Sequence, residues 1–161
     1  MEKDVPVRIA LYGILSAAVV IATIVFRIPV PHPNLYGVNL GEAIIYIVAL
    51  LFGGLPAAII GGIGSALADI IGGYPAWAPI TFFVKGLEGF IVGYIYHRIG
   101  LMGDIFAVIC GGLTMVIGYT IFAGLIYGIG AVPAEFIGDI AQVGFSAIVA
   151  IPMARALKER M

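Results

Sequence analysis

Long apolar runs, broken at short intervals by glycine, proline and a few charges, set the pattern of this chain. Val7 to Phe26 is the first run. It ends at Arg27 and Pro29-Val30-Pro31-His32-Pro33-Asn34, where three prolines lack an amide donor and bias the residues before them away from helix. Leu40 to Phe52 is apolar but short, and Gly53-Gly54-Leu55-Pro56 breaks it with a proline placed to open the next helix. Pro56 to Ile71 stops at Gly72-Gly73. Pro79 to Tyr96 closes at His97-Arg98, Asp104 to Tyr127 is uninterrupted, and Pro133 to Met153 runs into the basic tail Arg155, Lys158, Arg160. A spanning helix needs about 20 residues. The pattern therefore predicts an all-α integral membrane bundle of six helices in one transmembrane domain over 1–161, with helices at 7–27, 40–53, 56–72, 79–97, 104–127 and 133–154.

The second and third helices are shorter than a full span, so they read as short tilted helices or as a re-entrant hairpin. Charge bias decides between these. With six spans and both termini cytoplasmic, Lys3, Arg8, Arg98, Arg155, Lys158 and Arg160 lie inside, Arg27 lies outside, and Lys85 is within the membrane. That obeys the positive-inside rule, whereas fusing the two short segments would put the basic tail outside. Met1 to Arg8 mixes acid and base ahead of a long apolar run without a small-residue cleavage site, which reads as a retained first span rather than a secretory signal. No repeat of fixed period is present, and the Gly-Gly-Leu-Pro break has no counterpart in the second half such as an inverted-repeat carrier would show.

Composition agrees with the threading. Hydrophobic residues make up 62% and charged residues 11%, against roughly 25% charge in a soluble domain. The 23 glycines suit helices that approach closely. A formal net charge of −1 gives no support to nucleic-acid binding. Cys110 is the sole cysteine and lies mid-span, which excludes a disulfide framework and a cysteine metal site.

Six ionisable residues interrupt the apolar stretches: Glu42, Asp69, Lys85, Glu88, Glu135 and Asp139. An Asp, Lys or Arg at a helix centre costs about 2.5–3.5 kcal/mol, so such groups face a bundle interior, pair, or meet a ligand. In this threading the outer loops are 28–39, 72–78 and 128–132. Glu42 then starts the second helix just below the first loop, and Asp69 ends the third just below the second. Lys85 lies about 9 Å below Pro79 at the helical rise, with Glu88 near the midplane. Glu135 and Asp139 occupy the first two turns of the sixth helix. Every embedded charge is in the outer half or at the centre.

Spacing sharpens the picture. Glu135, Asp139, Gln142 and Ser146 form one polar stripe, Thr81, Lys85 and Glu88 another, and Lys85 can pair with Glu88 at i, i+3. Polar groups satisfying one another across helices would give similar stripes, but would have no reason to avoid the inner half. The arrangement therefore points to a polar cavity open to the outside. Tyr74 and Trp77 stand over its mouth, with Asn34 and Tyr36 in the long first loop; the aromatics read either as stacking groups for a flat ligand or as an interfacial belt. His32 reads as solvent-exposed. Lys85 is the position to meet an anionic or carbonyl group, unless Glu88 neutralises it.

The first helix is nearly free of polar side chains. Gly13/Ala17 and Ala18/Ala22 form two small-xxx-small pairs on neighbouring faces, suited either to an approaching helix or to packing within the bundle. Motifs for chemistry are sparse. There is no Gly-Lys-Ser/Thr phosphate loop and no His-x-x-x-His pair. Ser65 has no histidine on its level. Glu135 and Asp139 could serve an aspartyl-type intramembrane enzyme, but both are on one helix.

Leu40-Gly41-Glu42-Ala43, Leu51-Phe52-Gly53-Gly54, Gly64-Ser65-Ala66-Leu67-Ala68-Asp69, Trp77-Ala78-Pro79 and Lys85-Gly86-Leu87-Glu88-Gly89 together resemble the substrate-binding S components of energy-coupling factor (ECF) vitamin transporters, most closely the riboflavin, hydroxymethylpyrimidine and pyridoxine group. The resemblance covers nearly the whole chain and implies six membrane helices with both termini cytoplasmic. It implies partners: a transmembrane coupling subunit and two cytoplasmic ATPases, which use the ATP, so that no cofactor belongs on this chain. It implies a vitamin bound near the outer face of a prokaryotic cell membrane, delivered inward by toppling in the lipid. An alanine-xxx-alanine motif of the family, which contacts the coupling subunit, matches Gly13 and Ala17, with Ala18/Ala22 as a second candidate. The six charges, with Tyr74 and Trp77, are the expected binding residues. A stand-alone proton-coupled carrier and an intramembrane enzyme are the alternatives.

Overall fold

Residues 4–28, 38–100 and 103–160 are described by a computed structural model of the chain. Six α-helices account for nearly all of them: α1 (Asp4–Val25), α2 (Gly41–Phe52), α3 (Gly54–Gly72), α4 (Ala78–Ile99), α5 (Asp104–Tyr127) and α6 (Val132–Lys158). Their boundaries follow backbone chemistry. Gly53 and Gly73 hold φ of 93° and 91°, which closes α2 and α3 at the two glycine pairs, and prolines occupy the first positions of α4 and α6. Pro152 lies inside α6, which continues past it to Lys158 instead of stopping at the basic tail.

The arrangement departs from all-α in one place. Arg27–Ile28 (β1) and Val38–Asn39 (β2) pair antiparallel, Arg27 opposite Asn39 and Ile28 opposite Val38. The end of α1 and the start of α2 are brought side by side, and a two-residue ladder satisfies backbone groups that would otherwise lack partners there. Asn34, Tyr36 and His32 lie outside the described residues.

α2 is the centre of the bundle. Its twelve residues span about 18 Å at the helical rise, and eight of them are buried. Ile45, Tyr46, Val48, Ile60, Val92 and Val108 form the fully enclosed core around it. The α2–α3 corner reaches His97, near the far end of α4. α3 and α4 meet almost backbone to backbone: a Cβ at Gly89 would stand 2.9 Å from the Ala57 carbonyl oxygen, and one at Gly93 would collide with the Gly53–Gly54 peptide. α1 leans on α3 at Gly64, where a Cβ would stand 2.8 Å from Val19.

The outer surface is apolar. Ile14, Phe83, Leu125 and Ile148 are each more than two-thirds exposed, which a water-soluble domain would not sustain over every long helix. α1, α3, α4, α5 and α6 are long and apolar enough to cross a membrane, while α2 is shorter. The molecule is a multi-pass helical membrane protein.

Candidate functional site

The ends of α1, α3 and α5 and the starts of α2, α4 and α6 share one end of the bundle. A cavity with about 730 Å³ of empty space, its open mouth included, lies at that end, and all six helices line it. Glu42 comes from the first turn of α2, Asp69 from the last turn of α3, and Glu135 and Asp139 from the first turns of α6. α4 supplies Thr81 and Lys85 one turn apart, with Trp77 at its N-terminus and Tyr74 in the preceding turn.

Lys85 is clamped. Its Nζ donates to Glu42 Oε2 at 2.6 Å and to Glu88 Oε2 at 3.0 Å, with all three side chains essentially excluded from solvent. Gln142 Nε2 also donates to Glu42 Oε2, at 2.7 Å. The Asn39 backbone and side-chain amides both donate to Gln142 Oε1 at 3.2 Å, which ties β2 to α6. Tyr46 Oη stands 2.7 Å from Glu42 Oε1 and 2.7 Å from Glu88 Oε1. A phenol has one proton to donate. That proton serves one carboxyl oxygen or is shared between the two. Two buried acidic side chains thus face a single ammonium and a single phenol.

Lys85 pairs with Glu88, as the i, i+3 spacing allows, and with Glu42 as well, so its charge is met by two carboxylates. Glu88 is fully buried behind Lys85, in a supporting place rather than on the cavity wall. Glu42, Asp69, Tyr74, Trp77, Lys85, Glu135 and Asp139 all reach that wall.

The aromatic groups are equally placed by packing. Trp77 is only 7% exposed, so it is not part of an interfacial belt. Its Nε1 donates to Tyr127 Oη at 2.8 Å, and its ring meets Tyr119 edge-on at 5.7 Å. Tyr119 Oη donates to Thr81 Oγ1 at 3.1 Å, and Thr81 hydrogen-bonds Asp69. Tyr74 accepts from Arg27 at 2.7 Å beneath the guanidinium, closing the rim between β1 and the α3–α4 turn. Two carboxylate oxygens are buried without a hydrogen-bond partner, Asp69 Oδ2 and Asp139 Oδ2.

Sequence reasoning did not assign Tyr46, Tyr119, Asn39 or Thr23 to the site, and weighed Ser65 only as a nucleophile. Gln142 was visible as part of the α6 stripe. The two tyrosines sit in apolar runs, and the only signal for them is that a hydroxyl deep in such a run needs a partner.

The α1 positions separate cleanly. Gly13 and Ala17 are exposed, with open space beside Gly13, whereas Ala18 is half-buried and Ala22 is buried in the bundle. At the opposite end of the bundle, Arg155 donates to Asp104 at 2.6 and 3.0 Å, and Lys158 donates to Tyr96 Oη at 3.1 Å. No cluster of three metal-ligating side chains occurs among the described residues.

The family model of the ECF-type riboflavin transporter S component matches residues 5–159. The chain belongs to this family. The resemblance read from the sequence therefore holds, and the chain is a transport component rather than an enzyme, which removes the intramembrane-enzyme alternative. An uncharacterized protein from the gap 3' region of Pyrococcus woesei is 43% identical over 150 residues, covering 89% of this chain and 97% of that one. The thiamine precursor transporter HmpT of Lactococcus lactis subsp. cremoris is 29% identical over 137 residues, covering 84% and 78%.

Proposed function

We propose that this S component captures a water-soluble vitamin or vitamin precursor of the riboflavin, pyridoxine or hydroxymethylpyrimidine type at the outer face of a prokaryotic cell membrane. The observation that carries this reading is the cavity: a pocket built by all six helices, open at one end, with polar walls in an apolar bundle. The opposite end carries Arg98, Arg155 and Lys158, which by the positive-inside rule faces the cytoplasm along with both termini. Six passes follow, with α2 crossing inside the protein rather than against lipid. Glu42, Asp69, Lys85, Glu135 and Asp139 line the binding site, Trp77 and Tyr74 roof it, and Glu88 fixes Lys85 from behind. Titration of the purified protein with riboflavin, pyridoxine and 4-amino-5-hydroxymethyl-2-methylpyrimidine by calorimetry tests this; no heat of binding from any of them removes it.

Transport is driven by other chains: a transmembrane coupling subunit and two cytoplasmic ATPases. Gly13 and Ala17 present an unoccupied, side-chain-poor strip on α1 that a partner helix can approach closely. Gly13→Leu leaves vitamin binding intact and abolishes uptake when the chain is co-expressed with an ATPase module. Full uptake would show that this face is not the dock. The buried Asp69 Oδ2 and Asp139 Oδ2, each without a hydrogen-bond partner, favour one rival, a proton-coupled carrier acting alone. Uptake by the isolated chain that collapses with a protonophore would establish it instead.

A further inference from the structure

A second depression lies at the end of the bundle remote from the cavity. Gly54 and Gly93 bring the start of α3 against the end of α4 without intervening side chains. Leu55, Phe90, Tyr94, His97 and Arg98, which flank that contact, wall an open groove with about 470 Å³ of empty space, its mouth included. No acidic side chain lines it among the described residues. What this groove binds is a separate question from which vitamin the cavity takes.

Charge and depth both point to the occupant. Arg98 is exposed and forms no ion pair among the described residues, whereas Arg155 at the same end is matched by Asp104. The Arg98 guanidinium is held 5.1 Å from the centre of the Tyr94 ring, which stacks on Phe90 at 5.8 Å and 14°. A guanidinium resting on a ring keeps its N–H edge free to grip a phosphate through paired hydrogen bonds. Leu87, Phe90, Tyr94 and Arg98 recur at i, i+3, i+7 and i+11 on one face of α4. The first three are substantially exposed. From Leu87 to Arg98 the helix rises about 16 Å, about half of a hydrocarbon core of roughly 30 Å. One face thus carries a cation, an aromatic pair and an apolar track as long as one leaflet is deep.

We infer that this groove binds one anionic phospholipid, in the cytoplasmic leaflet on the orientation proposed above, with its phosphodiester on Arg98 beside His97 and an acyl chain along Phe90 and Leu87. Basic pockets between helices on the cytoplasmic side hold anionic headgroups, and each Lys or Arg near the surface is worth about fivefold in affinity. A soluble phosphate meets the cation but leaves the apolar track bare. A zwitterionic lipid brings its own cation to a wall that has no acid to receive it.

The experiment is native mass spectrometry of the purified full chain, delipidated in detergent and titrated with dioleoyl phosphatidylglycerol, dioleoyl phosphatidylcholine or glycerol 3-phosphate. The expected result is one phosphatidylglycerol per chain, bound at least about fivefold more tightly than phosphatidylcholine, and no adduct with glycerol 3-phosphate. Arg98→Gln abolishes the preference. Arg160→Gln, which removes another exposed cation at the same end, keeps it. Tyr94→Ala, which takes away the support of the guanidinium, narrows it. Equal binding of the two lipids overturns the inference. So does an equal loss in Arg98→Gln and Arg160→Gln, which would mean diffuse attraction to a charged surface. Glycerol 3-phosphate bound as tightly as the lipid would make this a site for a soluble phosphate instead. An intact preference in Arg98→Gln, joined to lost uptake with an ATPase module, would give the groove to a partner chain. None of these outcomes bears on vitamin binding at the other end.

Discussion

Two ion pairs in this molecule have the same length and different settings. Lys85 meets Glu42 at 2.6 Å with both side chains almost fully enclosed, whereas Arg155 meets Asp104 at 2.6 Å with the arginine side chain 53% exposed and the aspartate 3%. Distance alone would rank them as equals. Removing a partner from the enclosed pair strands a charge away from water, whereas water and salt reach the second pair from the Arg155 side and weaken it. The polar groups around the cavity thus depend on one another more fully than those at the other end.

The largest effect should come from Lys85→Ala. It leaves Glu42 and Glu88 facing each other without a cation, and a loss of about 3–5 kcal/mol is expected. Thermal unfolding in detergent measures it, and vitamin affinity falls at least about tenfold in parallel because the Glu42 wall moves. An unchanged melting temperature would mean that the buried cluster does not depend on its cation. The double variant Glu42→Gln/Glu88→Gln comes next. It strands Lys85, and its cost exceeds the sum of the two single changes, as contacting residues in one network do.

Each single change, Glu42→Gln or Glu88→Gln, costs far less, about 1 kcal/mol. Either change leaves one acidic partner for Lys85, and the new amide can donate to Tyr46. A single change that destabilises as much as the double would show that Lys85 depends on both acids. Arg155→Ala is the smallest effect, a minor shift in melting temperature. Raising potassium chloride to 1 M weakens the wild-type Arg155–Asp104 pair and leaves the Lys85 cluster untouched, so the contribution of Arg155 shrinks with salt while that of Lys85 does not.

Much of this layout was legible from residue order, for reasons that can be named. The helix breaks at Gly53 and Gly73 were visible because both positions need a positive φ that glycine adopts freely. The convergence of Glu42, Asp69, Lys85, Glu135 and Asp139 was visible because charges inside apolar runs must find a polar interior. Pairwise order was not. Lys85 and Glu88 were expected to pair at i, i+3, and they do at 3.0 Å, but nothing in the spacing shows that Glu42 approaches closer still from another helix. Nor could it show that Glu88 lies behind the wall rather than on it. Tyr119 escaped notice because its run is otherwise apolar, and its contacts with Thr81 and Trp77 come from other segments. The β1–β2 ladder was hidden because two residues on each side carry no alternation to read.

The seam between α3 and α4 has a mechanical consequence. Where two backbones touch through Gly89 and Gly93, there are no side chains to reshuffle, so sliding one helix past the other would open empty space along the whole contact. Asp69 and Lys85, one from each helix, ride on a single stiff slab. Whatever deformation empties the pocket is borne elsewhere than along this seam.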